Sequence, residues 1–227
     1  MRMITVHYLE HSRAHRILWL LEELGVPYDM KTYKRLPDMR APEALKAVHP
    51  LGKSPVIEDR GRIIAESGAI IEYLIDTYGS TEKAPALRPS PQSEAFERYR
   101  YWSYYAEGSA MPILFIKLIF SRVHKQAPFL LRGLARRICD GISASFADPQ
   151  IREHLAFWQA ELKRTGYFAG NDFTAADIAM SFPVEAALSV PGDTGDISVL
   201  REYIEKIRSR PAYQRALERG AYRFSKT

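Results

Sequence analysis

Apolar positions along the first eighty residues change period several times. Residues 3–9, MITVHYL, form a short β-rich run of the kind a buried strand needs. From Ser12 the period becomes helical, with Ile17, Leu20, Leu21 and Leu24 at i, i+3, i+4 and i+7. Leu18 and Trp19 put apolar surface on other sides, which predicts a helix buried on more than one face. Ser12 reads as its N-cap, and Gly25 with Pro27 as its stop. YDMKTYKR (28–35) reads as a second strand, and a β-α-β unit implies parallel pairing. APEALKAVHP (41–50) predicts a short helix with Pro42 in its first turn. SPVIED and RIIAES follow as an antiparallel hairpin around DRG. Ser67 reads as the cap of GAIIEYLIDTYG (68–79), whose Ile70, Ile71, Leu74 and Ile75 share a side.

The periodicity breaks at STEKAPALRPSPQ (80–92), where three prolines mark a linker. Helical spacing then returns in SEAFERYRYWSYYAEGSAMPILFIKLIF, FLLRGLARRICDGISASF, PQIREHLAFWQAELKRTG, TAADIAMSFPVEAAL and SVLREYIEKIRSRPAYQRALE. The expected fold class is α/β plus all-α: a small mixed sheet with helices over 1–80, a linker over 81–92, and an all-helical domain over 93–227.

Composition narrows this picture. The 227 residues are 46% hydrophobic and 26% charged, an ordinary globular balance. The most apolar run, MPILFIKLIF, contains Lys117 and is too short to span a bilayer; no signal peptide is evident, so a cytoplasmic protein is expected. The lone Cys139 excludes an intramolecular disulfide framework and a Cys-only metal cluster. Residues 1–80 carry 11 basic and 11 acidic side chains, so the net charge of +5 arises beyond them. Between Glu107 and Asp140 there are six bases, from Lys117 to Arg137, and no acid. That segment reads as a solvated face or a rim attracting anionic ligands. No motif supports a nucleic-acid or membrane partner.

Several residues invite chemistry, each with a plain structural alternative. Ser12 either caps its helix or offers an anion its hydroxyl together with the helix dipole. Pro55 opens a strand as a turn proline, or follows a cis bond that presents the Ser54 backbone to a peptide ligand. Lys53 beside it is either solvated or the partner of a carboxylate. Glu66 and Ser67 are a strand-end acid and a cap, or together a receptor for an α-amino acid end, with Glu66 on the ammonium and Ser67 on the carboxylate. No G-x-G-x-x-G follows the first strand, which disfavours a nucleotide-binding oxidoreductase.

SRAHRILWLLEEL, HPLGKSPVI and AESGAIIEYL, followed by a linker and helices, together resemble the cytosolic glutathione transferases, and SYYAEGSAMP resembles a bacterial and fungal subgroup of them. The resemblance covers the whole chain. FTAADIAM (173–180) is similar to the family's capping box, with Thr174 and Asp177 satisfying each other's helix-start donors. It implies a thioredoxin-like N-terminal domain and glutathione as co-substrate, with no metal. It also implies a homodimer and a hydrophobic electrophile attacked by the glutathione thiolate, with organic peroxides as further substrates in a detoxifying role. Carried onto this chain, it puts the cysteinyl part on the Ser54 backbone before Pro55, the γ-glutamyl end on Glu66 and Ser67, and the glycyl carboxylate on Lys53. For the thiolate it favours Ser12, with Tyr8 the runner-up, then His11, Arg13 or backbone amides. The lack of a cysteine in the first turn disfavours thiol transfer. It places the electrophile against the first long helix, at Tyr105, Met111 and Phe115, although an aromatic stripe there also suits plain core packing. The alternative to an enzyme is a glutathione-transferase-like carrier or interaction module.

Overall fold

The computed structural model describes residues 3–38, 40–79, 85–189, 195–220 and 222. Part of the expected linker, residues 81–84, lies outside them. Strand β1 (Ile4–Leu9) leads into helix α1 (His15–Leu24) and strand β2 (Tyr28–Tyr33). Next come α2 (Glu43–Lys46), β3 (Val56–Asp59), β4 (Arg62–Ala65) and α3 (Ser67–Tyr78). The sheet order is β2-β1-β3-β4; β1 and β2 are parallel and the other pairs antiparallel. This is the predicted thioredoxin-like arrangement. The β3–β4 hairpin closes through Arg60 (φ 52°) and Gly61 (φ 77°), left-handed at both centres as the twist of paired strands favours.

Helix α1 is buried on nearly every side. One face covers the sheet, and another meets the last described helix, α10 (Pro211–Arg219), which returns from the far side of the helical half. Trp19 stacks edge-on against Tyr213 at 5.0 Å. Arg210 forms two hydrogen bonds to Glu23 (2.6 and 2.9 Å), and Arg215 bonds Glu22 (2.8 Å). Gly25 adopts φ 63° and ends α1, with Val26 N–H donating to Leu21 O (3.0 Å).

Among the described residues beyond 85, the regular structure is helical: α4 (Glu94–Tyr105), α5 (Met111–Val123), α6 (Arg132–Ile142), α7 (Asp148–Thr165), α8 (Ala175–Ser189), α9 (Ser198–Arg208) and α10. Two π-turns, Ala106–Ala110 and Ser143–Ala147, join α4 to α5 and α6 to α7. Each comes just before a proline, Pro112 or Pro149. A proline offers no N–H and crowds the carbonyl four residues back; a widened turn accommodates both. The predicted capping box is present: Thr174 N–H donates to Asp177 Oδ2 (2.9 Å), and Ala176 N–H to Thr174 Oγ1 (3.3 Å). One hydrophobic cluster runs from the sheet through α1 into the helices, and a small second one (Leu9, Tyr33, Leu45) lies under α2. None of the described helices is long and apolar enough to cross a membrane.

Candidate active site

A cleft of about 580 Å³ separates the two halves. Its N-terminal wall is the turn after β1, with Leu9, His11, Ser12 and Arg13, together with Lys53 and Ser54 from the loop before β3. Its helical wall is Met111, Leu114, Phe115 and Leu118 of α5 and Phe182 of α8. Arg13, Arg35, Arg40, Lys46, Lys53 and Arg122 also line it, against one acid, Asp38, so the cleft favours anions.

Ser12 is 5% exposed and does not cap α1, which begins three residues later. Its Oγ accepts from Ala14 N–H (3.2 Å) in the turn that leads into the helix. Its own proton points to Ser54 Oγ at 3.5 Å, the outer limit of a hydrogen bond. Ser54 Oγ is occupied otherwise, donating to His7 O (3.0 Å) and accepting from Leu9 N–H (3.2 Å). The Ser12 hydroxyl therefore gives up little when it turns toward an incoming anion. The Ser54–Pro55 peptide bond is cis.

Ser67 likewise caps nothing: the helix starts on it, and its hydroxyl accepts from Arg16 (3.0 Å). Arg16 is 2% exposed, and sequence reasoning passed over it. It also donates to Ala179 O of α8 (2.7 Å) and to Glu107 Oε1 of the first π-turn (2.6 Å). Arg13 meets the other Glu107 oxygen at 3.5 Å, and the Phe182 ring lies 5.1 and 5.5 Å from the two guanidinium carbons. Burial pushes the Glu107 carboxyl up, but Arg16 and Arg13 outweigh it and hold it below the usual carboxylate range. The available signal was α1 itself: a helix with almost no solvent face must give an internal partner to a charge in its midst.

Glu66 is exposed between β4 and α3 with φ 73° and ψ 125°, and His11 also has a left-handed backbone (φ 54°). Strain of this kind gathers at ligand-facing turns. Glu66, Ser67 and Pro55 flank the cleft rather than line it. Glu66 reaches it through charge: with Glu107 it opposes the burial that lowers the Arg13 pKa.

Two expected side chains face elsewhere. Strand alternation sends Leu9 toward the cleft and Tyr8 to the opposite face of the sheet. There the Tyr8 ring abuts Gly220, where an added Cβ would lie 3.0 Å from Cζ, and burial pushes the phenol up. Tyr105 turns into the helical core, where Trp158 donates to its hydroxyl (3.1 Å) and His154 Nδ1 shares it. Burial raises it to about 12. At about 100° per residue Met111 and Phe115, six and ten residues on, lie about 120° and 80° round the helix from Tyr105, and the π-turn at 106–110 adds a further offset. Cys139 is buried on α6.

A thioredoxin-like sheet thus faces a helical partner across a cationic cleft. Residues 1–76 match the family described as "Glutathione S-transferase, N-terminal domain", and residues 142–211 match "Glutathione S-transferase, C-terminal domain". The chain is 35% identical to Glutathione S-transferase 3 of Schizosaccharomyces pombe, over 96% of this chain and 88% of that one. It is 34% identical to Glutathione S-transferase 1 of Saccharomyces cerevisiae, over 96% and 95%. A crystal structure of a glutathione S-transferase from Actinobacillus pleuropneumoniae superposes with a TM-score of 0.79 at 32% identity, covering 98% of this chain and 95% of the other. The theta-class enzyme of Xanthomonas axonopodis pv. citri, solved with glutathione bound, gives 0.72 at 25% identity, covering 99% and 100%. The chain belongs to the cytosolic glutathione S-transferase superfamily, and its activity is that of a glutathione transferase.

Proposed function

We propose that glutathione lies along the N-terminal wall of the cleft and that Ser12 donates its hydroxyl proton to the sulfur. Ser54, ahead of Pro55, pairs with the cysteinyl backbone, Lys53 takes the glycyl carboxylate, and Glu66 with Ser67 holds the γ-glutamyl end. A free thiol has a pKa near 8.5, and lowering it by about 2 units requires about 2.7 kcal/mol. One charge-assisted hydrogen bond together with the surrounding cations supplies that much. The thiol proton leaves to water, and the thiolate forms a C–S bond to a hydrophobic electrophile against Met111 and Phe115 while the leaving group departs. With an organic peroxide, two glutathiones reduce ROOH to ROH and water and become the disulfide. The observation that carries this reading is the Ser12 hydroxyl, buried at the mouth of a cationic cleft with only a 3.5 Å acceptor for its proton. Tyr8, facing Gly220, has no such position.

The same reading assigns residues 1–80 to glutathione, 81–92 to a linker and 93–227 to the electrophile, in a cytoplasmic, detoxifying homodimer. Leu134, Ile138 and Ile142 are exposed at i, i+4 and i+8 on α6, apolar surface of the kind a second copy covers. The test is an ultraviolet titration of the bound thiol. In Ser12→Ala its midpoint should rise by about 1–2 pH units, with kcat falling more than the KM for glutathione changes. An unchanged midpoint would remove Ser12 from the role.

A further inference from the structure

The cations of the cleft are not equivalent. Arg40 pairs with Asp38 (3.2 Å), Lys46 with Glu43 (2.6 Å) and Arg13 with Glu107 (3.5 Å). Among the described residues, Lys53 and Arg122 line the cleft without an ion pair. Lys53 stands on the wall assigned above to glutathione. Arg122 stands on the opposite wall, exposed in the last turn of α5.

Its place on the helix is informative. Met111, Leu114, Phe115, Leu118 and Arg122 follow i, i+3, i+4, i+7 and i+11, so one apolar stripe along the cleft ends in a guanidinium. The start of this stripe is fixed beside Ser12, because Glu107, just before α5, pairs with Arg13. At 1.5 Å per residue, Arg122 lies about 10 Å beyond Phe115 and about 16 Å beyond Met111. A neutral apolar electrophile filling the stripe has no use for this charge. A planar guanidinium matches a carboxylate with two parallel hydrogen bonds.

We infer that the second substrate is an amphiphilic anion: an electrophile whose reactive carbon sits near Ser12, whose apolar body lies along Leu114, Phe115 and Leu118, and whose terminal carboxylate is held by Arg122. This rests on the transferase reading above and names the class of compound it acts on. Arg122 is then a specificity residue, remote from the reacting atoms.

The test uses a matched pair: a medium-chain α,β-unsaturated ketone ending in a carboxylate, and its methyl ester. The glutathione sulfur bonds to the β-carbon, the π electrons move to the α-carbon, and that carbon takes a proton from water; the carboxylate is a spectator. At saturating glutathione and low salt, kcat/KM for the acid should exceed that for the ester by about tenfold, the equivalent of 1.4 kcal/mol. The ratio should shrink with added salt. Arg122→Gln should bring it to near unity, and Arg132→Gln, at a surface arginine outside the cleft, should leave it as it was. A ratio near one in the unaltered protein overturns the inference. So does Arg122→Gln raising the KM for glutathione while the ratio holds, which would move this arginine to the peptide's side. If neither ketone is turned over, the enone is not an electrophile this transferase accepts, and binding alone reads the substrate class. Calorimetric titration with the saturated keto acid and its ester then decides the inference, since it needs no chemistry: tighter binding of the acid, lost in Arg122→Gln, upholds it, and equal binding overturns it.

Discussion

Glu107→Gln separates two views of the buried Arg16 guanidinium: a contact that stabilises the fold, or a charge that the fold has to neutralise. Arg16 and Glu107 touch at 2.6 Å. With charge centres about 4 Å apart and an effective dielectric of about 20, their gross attraction is about 4 kcal/mol. The Glu107 side chain is 37% exposed, so water screens part of it. Glu107→Gln, which strands an almost fully buried cation, should then cost about 2–3 kcal/mol. Arg16→Met should cost less, about 1 kcal/mol. It forfeits the bonds to Ala179 O and Ser67 Oγ, but it also removes the desolvation burden, and Glu107 keeps Arg13. The double variant should fall within about 1 kcal/mol of Arg16→Met alone, because once the cation is gone the carboxylate keeps only its solvent-screened pair with Arg13. Urea unfolding followed by tryptophan fluorescence, at fixed protein concentration, reads all three. Additive costs, or a larger loss from Arg16→Met than from Glu107→Gln, would refute the reasoning.

Asp177 should give the fold a pH dependence. It accepts from Phe168 N–H, Thr174 N–H and the hydroxyls of Thr174 and Tyr203, yet burial outweighs these bonds and raises it to about 6. The folded chain thus holds a proton that the unfolded chain releases near pH 4. The associated stability is fully present below about pH 4 and is lost as pH rises through 6, by about 2–3 kcal/mol. Asp177→Asn should flatten that slope, and parallel urea midpoints for the two proteins from pH 4 to 7 would contradict it. Gly220→Ala should destabilise by about 1–3 kcal/mol, since its Cβ would lie 2.6 Å from Leu18 Cδ1 and 3.0 Å from Tyr8 Cζ, both fully buried. A thermal midpoint no lower than that of the unaltered protein would mean the pocket yields.

What could be read in the sequence was what local periodicity and turn chemistry determine. The strand MITVHYL, the helix stop at Gly25, the DRG hairpin and the Thr174–Asp177 box depend on residues within a few positions of one another. The two serine caps failed for the opposite reason. Ser12 and Ser67 spend their hydroxyls in tertiary bonds or in the turn ahead of the helix, with Ser54 and Arg16 lying 42 and 51 residues away. Tyr105 parts from Met111 and Phe115 because positions six and ten residues on do not share its helix face, and the π-turn shifts the phase further. Ser12, Lys53 and Ser54 on one wall and Met111 and Phe115 on the other do meet at one cleft, but Arg16 and Glu107, 91 residues apart, carry no local signature.

The return of α10 onto α1 has a consequence for the birth of the chain. Arg210 and Arg215 close on Glu23 and Glu22 across 187 and 193 residues, so the outer side of α1 is covered by a helix made far later. At about 5–20 residues per second, a ribosome leaves the Trp19 surface uncovered for roughly 10–40 s. During that interval the nascent amino-terminal half is a natural client for chaperones, and premature termination before Pro211 yields a product with that sticky side permanently bare.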